Sequence, residues 1–143
     1  MVKLRYYIRE KYQMAVRGLR GAITIDKNEK NAIIFATEML LEKMVSVNKI
    51  KIDDVASIIF TVTRDVTKEF PALAARELGW LYTPLICCVE MDRERSLKKC
   101  IRVLLHVNSE KKQNEMKHVY LAKAKTLRPD LATSHKNKYY TSE

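Results

Sequence analysis

Residues 98–108 read KKCIRVLLHVN, and the fold turns on how they are read. Ile101, Val103, Leu104, Leu105 and Val107 make residues 100–107 a strand, with Arg102 set among them. A guanidinium left unpaired in an apolar interior costs on the order of several kcal/mol. The strand therefore needs a partner for Arg102, either an acid of the protein or a bound anion.

Working outward, residues 16–25 alternate. Leu19, Ile23 and Ile25 share one face with Arg17 near its start, and Gly18, Arg20, Ala22 and Thr24 share the other. Gly18 and Gly21 bracket Arg20, so the backbone there can be approached closely. Asp26 or Asn28 is the expected cap of a long amphipathic helix ending near Asn48, with Ile33, Thr37, Leu40, Leu41, Met44 and Val47 at helical spacing. Residues 55–63 read as a buried strand. FPALAAREL then reads as a short helix with Pro71 in its first turn, ended by Gly79. TPLICCVE, residues 83–90, is a third strand, and HVYLAKAKTL, residues 118–127, alternates as a fifth, stopped by RPDL. SEKKQNEMK between the fourth and fifth strands is a polar loop or a single helical turn. Five strands, one long helix and one short helix predict an α+β fold. One helix covers one face of such a sheet, so self-association is the expected cover for the other.

The 143 residues suit one domain, and an apolar fraction of 47% is ordinary for a folded chain. No apolar run approaches the roughly 18 residues of a membrane-spanning helix. The basic opening MVKLRYYIREKYQ lacks the apolar core of a secretory signal. Residues 1–13 are expected to be an extension ahead of Met14, residues 14–131 the domain, and residues 132–143 a polar, mobile tail. Cys87, Cys88 and Cys100 are odd in number and lack CxxC spacing, which speaks against a disulfide framework or a zinc site and for reduced thiols in the cytoplasm. His106, His118 and His135 are scattered, so no metal site is expected. The net charge is +10, with Lys3, Arg5, Arg9 and Lys11 near the start and no long run of one sign. A pocket for a small anion fits this charge as well as a nucleic-acid surface does.

The strands carry polar cargo. Arg20 lies on the less apolar face of the first, Glu90 closes the third, Arg102 sits in the fourth, and Tyr120 and Arg128 share parity in and beyond the fifth. Arg76 lies on the short helix after Phe70. Arginine grips carboxylates through two parallel hydrogen bonds, so several arginines with one tyrosine and one glutamate suit a small polyanion bearing a hydroxyl. These residues also have plainer readings: Arg102 in an ion pair with Glu90 or with an acid of another chain, Arg20 at a sheet edge, Tyr120 half-buried with its hydroxyl satisfied, Glu90 solvated at a strand end, Cys87 and Cys88 as small core residues.

RGLRGAITI, FPALAARELGW, PLICCVEMD, LKKCIRV and HVYLAKAKTLRPDL occur in this order from Arg17 to Leu131. Together they closely resemble the monofunctional AroH-type chorismate mutases. The resemblance implies a mixed five-stranded sheet backed by the long helix and a homotrimeric pseudo-barrel with active sites between subunits. It implies conversion of chorismate to prephenate on the way to phenylalanine and tyrosine, with no cofactor, metal, nucleic acid or membrane. Residue by residue, it makes Arg102 the group beside the breaking ether bond and Glu90 the carboxylate that holds the substrate hydroxyl. Arg20 would bind a substrate carboxylate, Tyr120 would touch substrate, and Cys87 would lie near the hydroxyl, with Ile86, Cys87, Cys88 and Val89 lining the pocket. Phe70, Ala72 and Arg76 would come from the neighbouring subunit, and Leu127 and Arg128 would close over the pocket. Leu73 departs from the pattern, standing where some members have a lysine, and DRERSLKK is more charged than usual. Two other readings compete: a trimeric protein of similar sheet, such as the enamine/imine deaminases, and a basic nucleic-acid-binding module. The second lacks interleaved aromatics on one face.

Overall fold

The computed structural model describes residues 14–130; the expectations for residues 1–13 and 132–143 lie outside the described residues. Five strands, β1 (Ala15–Thr24), β2 (Val55–Val62), β3 (Leu85–Val89), β4 (Cys100–Ser109) and β5 (Val119–Tyr120), form one sheet in the order β3-β2-β4-β1-β5. The outer pairs, β2 with β3 and β1 with β5, are parallel, and both neighbours of β4 are antiparallel to it. The sheet is therefore mixed, with the strand of Arg102 at its centre.

Two helices lie on one side: α1 (Lys30–Asn48) and α2 (Ala72–Glu77). Ile33, Ala36, Thr37, Leu40, Leu41 and Met44 of α1 are buried. The apolar ones pack in one core with Leu19 and Ile23 of β1, Ile58 and Phe60 of β2, and Ile101, Val103, Leu105 and Val107 of β4. The period of 3.6 in the helix and of 2 in the strands delivers one continuous apolar layer. Among the described residues the opposite sheet face holds a small cluster: Ala22, Cys100, Tyr120 and Ala124, with Leu97 and Leu127 packed against it. Beyond that cluster Val16, Leu104 and Ile86 are exposed.

Three sequence expectations change. The long helix starts at Lys30 after Glu29, whose side chain makes no capping bond, and neither Asp26 nor Asn28 caps it. Asn28 ties down the loop beyond β2 instead: its Oδ1 accepts the N–H groups of Thr67 and Lys68 at 3.0 and 3.3 Å. The fifth strand is two residues long. Ala122 takes a left-handed φ of 52°, and residues 122–126 wind into a 3-10 turn that the alternating pattern of small and charged residues did not distinguish from a strand. The fourth strand runs on to Ser109, because Ala15 and Val16 of β1 still pair with Ser109 and Asn108.

The glycines around Arg20 have separate uses. Gln113 pairs its side-chain amide with Gly18, accepting the Gly18 N–H at 2.8 Å and donating to its carbonyl. Gly21 lets α1 sit against the sheet: a Cβ there would fall 2.4 Å from Met44 Sδ and 3.1 Å from Leu40 Cδ1. Gly21→Ala is expected to destabilise the chain by about 1–3 kcal/mol through overpacking. Urea unfolding followed by circular dichroism checks this, with Gly18→Ala as the milder comparison, since a Cβ there has no neighbour closer than 3.9 Å.

Candidate active site

The register of the sheet builds one row of side chains across all five strands. Arg102 pairs with Thr61 on one side and Ala22 on the other; Thr61 pairs in turn with Cys88, and Ala22 with Tyr120. Directly paired residues point to the same face. Cys88, Thr61, Arg102, Ala22 and Tyr120 therefore stand in line on the face away from the helices. Arg20 lies two residues along β1 from Ala22, on the same face, opposite Leu104.

Glu90 follows β3 directly, and its N–H donates to the Val62 carbonyl at 2.9 Å, continuing the β2–β3 ladder. It shares the face of Cys88 two positions earlier. Its Oε2 accepts the Thr61 hydroxyl at 3.0 Å and lies 3.4 Å from Arg102 Nε. The central arginine thus has an acid of its own chain beside it, as the ion-pair reading of the sequence allowed. The contact falls short of a hydrogen bond, however. Arg102 Nε and Tyr120 Oη are the two buried side-chain polar atoms among the described residues that have no hydrogen-bond partner. Leaving such an atom unsatisfied costs about 1–3 kcal/mol, and both lie in the same row.

The start of β4 is held by a net that the sequence did not reveal. Both carboxylate oxygens of Asp65 accept the Lys99 N–H at 3.0 Å, and Asp65 Oδ1 also accepts the Thr63 hydroxyl at 2.5 Å. Thr63 Oγ1 in turn accepts the Cys100 N–H at 2.9 Å. These bonds hold Lys99 in a left-handed conformation, φ 48°, just ahead of the strand that carries Arg102. Burial pushes the Cys100 thiol above its ordinary pKa, Arg102 pulls it back, and Glu90 and Asp65 add to the rise.

The expected site residues fall into two groups. Arg20, Ile86, Cys88, Glu90, Arg102 and Tyr120 lie on the open face or at its edge, and Leu127 packs against the Tyr120 cluster. Arg128 is exposed and holds Asp130 through two bonds, Nε to Oδ1 at 3.1 Å and Nη2 to Oδ2 at 2.9 Å, which raises its pKa. The second group lies on the helix side of β3. Cys87 pairs with the core residue Phe60, and its thiol is pushed up by burial, with the Ala72 backbone acting the other way. Phe70, Cys87 and Val89 line a groove of about 430 Å³ at the edge of β3, which Cys88 of the first group also borders. Arg76 donates from Nη1 to the carbonyls of Trp80 and, at 2.8 Å, Leu81, which ties down the end of α2. One chain does not bring Phe70, Ala72 and Arg76 onto the face of Arg102.

Two residues that bear on the site were not singled out from the sequence. Thr61 was hidden within an apolar strand, and its parity relative to Arg102 becomes visible only once β2 is paired with β4. His118 accepts the backbone N–H of Arg20 through Nδ1 at 2.9 Å. A second cleft, about 350 Å³, opens beside Glu90 and is lined by Arg64, Asp92, Arg93 and Arg95 among others. Among the described residues, no three His, Cys, Asp or Glu side chains are grouped as a metal ion would require, and no helix is long and apolar enough to cross a membrane.

The mixed α+β sheet thus carries guanidinium, carboxylate, hydroxyl and phenol along one open face, groups whose chemistry suits a small polar anion. The chain belongs to the chorismate mutase type I family, which matches residues 16–131. It is 44% identical over 120 residues to the chorismate mutase AroH of Bacillus subtilis, covering 83% of this chain and 94% of that protein. It is 45% identical over 120 residues to the chorismate mutase AroH of Thermus thermophilus, covering 83% of this chain and 98% of that protein. A solved chorismate mutase from Clostridium thermocellum superposes with a TM-score of 0.75 at 48% identity, covering 76% of this chain and 97% of the other.

Proposed function

We propose that the row built on Arg102 is the substrate site of this chorismate mutase, and that its working form is a cytoplasmic homotrimer with the sites between subunits. The observation that carries the reading is the pair of buried, unsatisfied atoms, Arg102 Nε and Tyr120 Oη, in one row of one sheet face. A bound polyanion supplies acceptors to both.

Conversion of chorismate to prephenate is a rearrangement within one molecule. One C–O bond breaks and one C–C bond forms, so no nucleophile, metal or organic cofactor is called for. The task is to hold a flexible dianion in its chair-like reactive shape, which removes much of the entropic part of the barrier. As the C–O bond lengthens, negative charge grows on the ether oxygen. Arg102 donates to that oxygen and so binds the transition state more strongly than the ground state. A guanidinium has five N–H donors, so a neighbouring Glu90 does not exhaust it. The Glu90 carboxylate accepts the substrate hydroxyl, Arg20 takes a carboxylate, Tyr120 donates its phenol, and Leu127 and Arg128 close the late side of the pocket.

Two features support assembly. The sheet face away from α1 leaves Val16, Ile86 and Leu104 exposed, and around the open edge of β3 Phe70, Leu81, Tyr82, Val89 and Met91 are exposed too. An uncovered edge strand flanked by apolar side chains is a surface that a second chain covers. Phe70, Ala72 and Arg76 lie across that edge from Arg102, where they can serve a neighbour's row, and Cys87 and Val89 stand with them.

Loss of chorismate absorbance, with prephenate identified as the product, tests the activity. Arg102→Lys keeps the charge but loses the planar fork. It is expected to lower turnover by about 10²–10³ while substrate affinity changes less and the melting temperature holds. Near-normal turnover with a lowered melting temperature would return Arg102 to a structural ion pair with Glu90. Sedimentation is expected to find a trimer; an active monomer at low concentration would sink the shared site. We further propose that residues 14–131 are the functional unit, so a chain beginning at Met14 is expected to keep full activity in the same assay.

A further inference from the structure

We propose that Thr61 is a positioning residue that keeps Glu90 from closing onto Arg102. The inference rests on the reading of Glu90 as acceptor of the substrate hydroxyl.

An arginine and a carboxylate brought together tend to form a two-bonded, fork-to-fork pair. Arg128 and Asp130 of this chain do so. Glu90 and Arg102 do not: Oε2 lies 3.4 Å from Nε, and Nε makes no hydrogen bond. What differs is a third group. Thr61 stands between the two strands, opposite Arg102 on β4 and opposite Cys88 on β3. Its hydroxyl donates to Oε2 at 3.0 Å, the same oxygen that faces the guanidinium.

The chemistry follows from that geometry. A carboxylate folded fully onto Arg102 would take up two of its five donors and turn both oxygens toward the guanidinium, away from the geometry that serves the substrate hydroxyl. Holding Oε2 with a neutral donor fixes the rotamer of a long side chain before substrate arrives. It leaves Oε1 as the acceptor for the hydroxyl and keeps the guanidinium only loosely engaged. Preorganisation of this kind acts on turnover more than on binding.

The test uses the full chain with Thr61→Val and Thr61→Ser, alongside Glu90→Gln. Valine keeps the β-branched shape and removes the hydroxyl; serine keeps the hydroxyl. Thr61→Val is expected to lower turnover about tenfold or more, the scale of a hydrogen bond to a charged group, with a smaller change in KM. Thr61→Ser is expected to recover most of it. In the Glu90→Gln background Thr61→Val is expected to cost little, because the two changes then act on one interaction. Should Thr61→Val impair folding, Thr61→Ala against Thr61→Ser isolates the same hydroxyl. Unchanged turnover in Thr61→Val while Glu90→Gln is impaired overturns the role of Thr61 alone, and so does equal damage in the valine and serine variants. Unimpaired turnover in Glu90→Gln overturns the underlying reading of Glu90.

Discussion

Arg102 sits on the middle strand of the sheet, and a guanidinium there needs polar company that the apolar layer cannot supply. The fold meets this by placing it on the face away from α1, in a row with Thr61 and beside Glu90. Its neighbours along the strand, Ile101 and Val103, point the other way into the core. One strand therefore carries both the packing that stabilises the sheet and the charge of the proposed site, separated only by the alternation of a β-strand.

Several local choices serve that placement. Asp65 and Thr63 tie the end of β2 to the start of β4, which holds the register that sets Thr61 opposite Arg102. Gly21 brings α1 close against β1, so the helix seals one face while the row stays on the other. Gln113 and His118 bond the free edge of β1 at Gly18 and Arg20, just before β5 takes over at Gly21 and Ala22. A two-residue fifth strand is enough because side chains do the rest of the edge pairing.

Much of this was legible in the sequence. The alternation of Leu19 and Ile23, the helical spacing from Ile33 to Met44 and the lone arginine among apolar residues are local patterns, and each reflects the partition of side chains between water and a core. The motifs from RGLRGAITI to LRPDL carried the family. Other features left no local trace. AKAK alternates small and charged residues in a strand and in a 3-10 turn alike, and the left-handed Ala122 decides between them. Thr61 reads as one more strand residue until its hydroxyl is found 3.0 Å from a carboxylate 29 residues away.

The amino-acid order by itself determined where the long helix and the four longer strands lie, which of their residues face a core, and which family the chain joins. Hydrophobic period and breaker residues act over a few positions, so they can be read in a line. The tertiary structure alone decided that Cys87 turns to the helix side while Cys88 joins the row, that Glu90 Oε2 lies 3.4 Å from Arg102 Nε, that Phe70 lines a groove with Cys87, and that Arg76 ties down the end of α2. Those facts depend on which strand pairs with which, and in what register. A shift of one residue reverses every face, and the register is set by contacts between segments far apart in the chain.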